Sequence, residues 1–200
     1  MKITIINLQN RVPVNSKKVV KIVQKVLVQE SIKHFPIPLR KSPKVIADHA
    51  YGGSRQSRLR RIPPKAERRE GNFLVSSEGI KKSGEITICF VNDQKIKELN
   101  LRYLAKNNPT DVIAFDVAEP KRPDKLFADI VISTDRAIDN ANAFKTSPLF
   151  ELYLYVIHGV LHILGYDDRS KKDRLIMRKR EAELVKTCPG TGKYAPAEHR

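Results

Sequence analysis

Apolar positions along the chain recur with two different spacings, and the switches between them mark out its elements. Lys2 to Asn7 alternates into a short β-branched run and predicts a first strand. Ser16 is placed to cap a helix running to about His34, because Val19, Val20, Ile22, Val23, Val26, Leu27 and Ile32 fall on one face at helical spacing. That stripe predicts core packing. Ile86 to Val91 reads as a second strand, and Asp93 opens a helix containing Ile96, Leu99, Asn100 and Tyr103. Asn107-Asn108-Pro109 ends it, since the residue before a proline is driven out of the helical region. Asp111 to Val117 and Asp129 to Ser133 predict a third and a fourth strand. Ser133 or Thr134 can cap a helix reaching about Phe144, and Pro148 starts a long apolar helix that carries His158 and His162. The order implies a small sheet with helices packed on it, an α+β or α/β domain, and leaves the strand order open.

One segment breaks the pattern. Pro36 to Asn72 holds ten basic residues against Asp48, Glu67 and Glu70, with five prolines, a Gly-Gly pair and no sustained apolar period. Such a chain cannot bury enough surface to offset its ordering entropy, so a disordered insertion of net charge +7 is expected there. It could serve as a basic arm toward phosphate backbones or as a plain solvated linker. Tyr51 is its one aromatic residue, which gives base stacking little support.

Composition narrows the partners. At 200 residues and a formal charge of +16, the chain suits a single domain with an anionic partner, nucleic acid or a membrane surface. No run of about 18 apolar residues is present. The amino terminus reads as a strand and not as a signal peptide, so a soluble cytoplasmic protein is expected. Cys89 and Cys188 are far apart, and Cys89 falls in a strand-like run as a small apolar residue. Thr187-Cys-Pro-Gly-Thr-Gly-Lys-Tyr194 is a false phosphate loop: Thr187 replaces its first glycine and Tyr194 its hydroxyl metal ligand. No nucleotide cofactor is expected, and residues 187–200 read as a flexible tail after a domain spanning 1–186.

The chemistry concentrates in His158-Gly-Val-Leu-His162-Ile-Leu-Gly-Tyr-Asp167-Asp168. Histidines four apart on a helix share one face, about one turn from each other. Gly165 accepts the positive φ needed to leave the helix and return a carboxylate to them. His158, His162 and Asp168 are therefore candidate ligands of one metal ion with a fourth position open, the pattern of a catalytic site. In metalloproteases of the His-Glu-x-x-His type the second position supplies the general base. Here it is Gly159, which excludes that chemistry.

With these residues, the chain resembles the YbeY family of metal-dependent endoribonucleases. The resemblance rests on the run His158 to Asp168, on Glu98-Leu-Asn-x-x-Tyr103 followed by Pro109-Thr-Asp-Val112-Ile-x-Phe115, and on Ala128-Asp-Ile-Val-Ile-Ser133. It covers about Gly84 to Val185, with a weaker match over the first strand and helix. It implies a single zincin-like α+β domain with a four-stranded mixed sheet. It also implies one divalent ion, zinc above others, held by the positions that are His158, His162 and Asp168 here. The activity it implies is single-strand-specific cleavage of RNA in ribosomal RNA processing, including late 3′-end maturation of the small-subunit RNA, and in ribosome quality control. The small ribosomal subunit is then the partner. Three departures stand out. The family's third ligand is histidine, and aspartate replaces it. Leu104 stands where an arginine is usual, with Arg102 and Lys106 two residues to either side. Lys106 matches a lysine of the family pattern and is the candidate phosphate contact, and Asp167 is a candidate turn residue or support of a ligand. The insertion at 36–72 replaces a short connection. The rival reading is a non-catalytic RNA- or ribosome-binding factor with a structural metal, which the loss of arginine at 104 favours.

Overall fold

A computed structural model describes residues 1–32, 45–47, 84–117 and 125–187. In chain order the elements are β1 (Lys2–Asn7), α1 (Ser16–Ile32), β2 (Val45–Ala47), β3 (Gly84–Val91), α2 (Asp93–Leu104), β4 (Val112–Asp116), β5 (Leu126–Ser133), α3 (Thr134–Phe144), α4 (Pro148–Ile163) and α5 (Lys171–Lys186). They form an α+β domain on one mixed sheet, ordered β1-β3-β5-β4-β2. β1, β3 and β5 run parallel, and β4 and β2 run antiparallel to their neighbours. The four strands read from the sequence are all present. β2 adds a short fifth at the edge, inside the segment for which an insertion was expected. Three residues are too few to show a period, and the rest of that segment lies outside the described residues, as does the tail beyond Thr187. Among the described residues no helix is long and apolar enough to cross a membrane.

Alternation along the strands gives the sheet two apolar faces. Ile86, Ile88 and Phe90 of β3, Val112 and Ala114 of β4, and Ala128, Ile130 and Ile132 of β5 share the main core with α1 and α4. Val91, Ile113 and Val131 point the other way, into a smaller cluster with Ile96 of α2. Leu104 packs against that smaller cluster, together with Leu99 and Phe115. An apolar side chain at 104 is therefore explained by packing.

α4 is the centre of the domain. It touches α1, α3, α5, β4 and β5, and nearly all of its residues are buried, including the polar Glu151 and His162. Ser147 caps it by accepting from the Phe150 N–H, and Pro148 occupies its first turn. Gly159 lets it lie close to the sheet, because a Cβ there would stand 2.7 Å from Ile130 Cγ2. The glycine that removes the peptidase base is thus a packing requirement.

α5 is absent from the elements that the apolar pattern predicts. Its sequence is strongly charged, and Met177, Leu184 and Val185 are its buried apolar residues. Arg180 and Glu181 complete its buried face, so two of its five buried residues are ionic. This helix reaches His158 through Glu181.

Candidate metal centre

The last turn of α4 brings the two histidines together. Their ring centroids are 4.4 Å apart and the rings are nearly perpendicular. Leu164 is the C-cap of α4, and Gly165 takes φ 101°, the left-handed region that favours glycine. The Gly165 N–H donates to His162 O and the Tyr166 N–H to Leu161 O, which closes the helix and turns the chain back. Asp168 follows. One ligand atom from each of His158, His162 and Asp168 lies within 4.8 Å of the others. The three expected ligands therefore converge, and they do so at the carbonyl end of a helix, where the backbone dipole favours a cation.

Hydrogen bonds fix which nitrogen of each ring faces the convergence. His162 Nδ1 lies 3.1 Å from the Tyr166 carbonyl, which can only accept, so Nδ1 carries the proton. His158 Nδ1 is paired with the Glu181 carboxylate of α5, which assigns the same tautomer. Both lone pairs then reside on Nε2, and both Nε2 atoms are buried with no hydrogen bond to protein. Two imidazole nitrogens and a carboxylate oxygen suit a divalent first-row ion. The residues present fit a metal.

Asp167 is a turn residue. It accepts from the backbone N–H of Asp168 at 2.9 Å and of Arg169 at 3.3 Å, and its carboxylate holds the Arg169 guanidinium at 2.6 Å. Ser170 then caps α5, and Arg174 donates through Nε to the Asp168 carbonyl at 3.1 Å. The ligand turn is thus tied at both ends. Burial, reinforced by a hydrogen bond to Glu30, pushes the Tyr166 hydroxyl well above its ordinary range, so it stays protonated and donates.

Lys106 lies just beyond α2, after Ala105, the left-handed C-cap of that helix. Its N–H closes α2 by donating to Asn100 O at 3.3 Å.

Glu181 is the site residue that sequence reasoning missed. A signal for it existed: Met177, Leu184 and Val185 fall at i, i+7 and i+8, and Arg180 and Glu181 fill i+3 and i+4 of the same stripe. Charged residues at core positions of a helix mark groups that need buried partners.

The model of the family described as endoribonuclease YbeY matches residues 65–189. Curated relatives under that description include one from Flavobacterium psychrophilum, 42% identical over 113 residues, covering 56% of this chain and 78% of the relative. Another, from Christiangramia forsetii, is 38% identical over 111 residues, with 56% and 75% covered. One from Anaeromyxobacter dehalogenans is 33% identical over 143 residues, with 72% and 69% covered. A solution structure, TM1509 from Thermotoga maritima, aligns over 92% of this chain and 87% of its own at 19% identity, with a TM-score of 0.46. The family match spans more than half of the chain and includes the whole convergence of His158, His162 and Asp168, and by that measure the chain belongs to the endoribonuclease YbeY family.

Proposed function

We propose that this protein is a metal-dependent endoribonuclease acting on single-stranded RNA. The observation that carries this reading is the convergence of His158, His162 and Asp168 within 4.8 Å in a chain of charge +16. These three residues would hold one divalent ion, zinc by preference for the nitrogen donors. Such an ion supplies Lewis acidity toward a phosphoryl oxygen and lowers the pKa of a coordinated water. The protein's own groups do the rest. Glu181 and the Tyr166 carbonyl hold the two imidazole protons on Nδ1 and keep both rings oriented. Arg169 and Arg174 hold the turn that presents Asp168. Lys106 is assigned to a substrate phosphate, and the surplus of cations attracts the RNA backbone through counterion release. Ribosomal RNA is the substrate we assign, including late 3′-end maturation in the small subunit and ribosome quality control in the cytoplasm.

The second reading is an RNA- or ribosome-binding factor with a structural metal. Leu104 favours it, because a leucine packed into an apolar cluster cannot stabilise developing phosphoryl charge. A chelator separates the two: a catalytic ion leaves with the fold largely kept and cleavage stopped, and a structural ion leaves with unfolding. The decisive assay is cleavage of single-stranded RNA by the wild type and by the His158→Ala/His162→Ala variant. Loss of both bound metal and cleavage is expected. Undiminished cleavage by a metal-free variant would overturn the assignment.

A further inference from the structure

α1 reaches the metal centre through one buried acid, Glu30, whose side chain is 3% exposed. The Tyr166 hydroxyl donates to Glu30 Oε2 at 2.8 Å, and Arg180 Nε donates to Glu30 Oε1. Arg180 is 8% exposed and also donates to Glu183 at 2.7 Å. Each end of this cluster leads to a histidine. The Tyr166 carbonyl accepts a hydrogen bond from His162 Nδ1. Arg180 directly precedes Glu181, whose carboxylate accepts from His158 Nδ1.

Stability does not account for such an arrangement. Desolvating an acid and a guanidinium cancels most of their attraction, and apolar replacement of a buried pair is often neutral or better. What the pair does provide is direction, since a guanidinium and a carboxylate lock in a narrow range of geometries. We infer that Glu30, Tyr166 and Arg180 are positioning residues for the metal: one buried ion pair sets the two acceptors that orient both ligand imidazoles. Sequence separations of 136 and 150 residues close in this cluster, so α1 acts on the ligand turn and on α5 together. The inference rests on the reading that His158, His162 and Asp168 hold the ion.

The test is titration of zinc alone into the metal-free full-length protein against a competing chromophoric chelator. Melting of the metal-free state is measured in parallel. Tyr166→Phe removes one hydroxyl and leaves the carbonyl that His162 uses. Glu30→Gln/Arg180→Met replaces the ion pair with neutral groups of similar size. Each is expected to weaken zinc binding by about 10-fold while the metal-free protein keeps its fold and melting temperature. Combining the two should weaken it little further, because both break the same chain of contacts. Zinc binding within twofold of wild type in folded Tyr166→Phe overturns the inference. So does a lowered melting temperature with unchanged zinc affinity, which is what a merely structural cluster would give. Should the double variant fail to fold, Tyr166→Phe decides alone. A wild-type protein that binds no zinc overturns the reading of the triad, and that result is distinct from a variant matching a wild type that binds it.

Discussion

Replacing Gly159 with alanine sets two effects of opposite sign against each other. Alanine removes the conformational freedom of a glycine inside a helix, a gain of about 1 kcal/mol. Its methyl would stand 2.7 Å from Ile130 Cγ2 and 3.5 Å from Cδ1. The closer atom is the branch methyl of a β-branched side chain fully buried in the core, so it cannot swing aside as a flexible end could. Ordinary contact begins near 3.4 Å, and α4 or β5 must give by roughly 0.7 Å. Overpacking of this kind costs about 1–3 kcal/mol, so the variant should lose up to about 2 kcal/mol net. For a chain of this size that is a fall in Tm of at most about 4–8 °C. The sign should reverse in an Ile130→Ala background, where the obstructing methyl is gone and only the helical gain remains. Urea unfolding of the four proteins of this cycle, with chelator present to remove any metal contribution, reads both terms. A Gly159→Ala protein more stable than the wild type would refute the reasoning, as would a cycle with no coupling.

Three further outcomes follow from the site and its supports. Glu181→Gln keeps the shape of the residue but removes its charge, and should weaken zinc binding by about 10-fold, read by chelator competition. Ser147→Ala deletes the cap of α4 and should cost about 1 kcal/mol in urea unfolding. Burial, and secondarily the Asp129 charge, pushes the Cys89 thiol up, so in a Cys188→Ser variant its alkylation near neutral pH should be far slower folded than in urea.

Much of the domain is written in local pattern. The stripe from Val19 to Leu27 and the β-branched run at 86–91 each bury one face against the same core, so their periods survive into the structure. The metal triad is equally local: His158 and His162 share a helix face, and Gly165 and Asp168 belong to the next turn. What the pattern does not reveal depends on distant partners. β2 exists through its pairing with β4, and three residues carry no period. α5 hides because two of its buried positions are Arg180 and Glu181, whose burial follows from partners 150 and 23 residues away. Leu104 is legible as a departure from its family, and its packing against the cluster of Val91, Ile96, Ile113 and Val131 becomes plain only once the sheet is formed.

The central claim is that His158, His162 and Asp168 share one ion. Anomalous diffraction at the zinc edge from zinc-loaded crystals tests it most directly. A single strong peak about 2.0–2.2 Å from Nε2 of both histidines and from an Asp168 oxygen is expected. A peak coordinated by other residues, or none on the triad at full zinc loading, would contradict it.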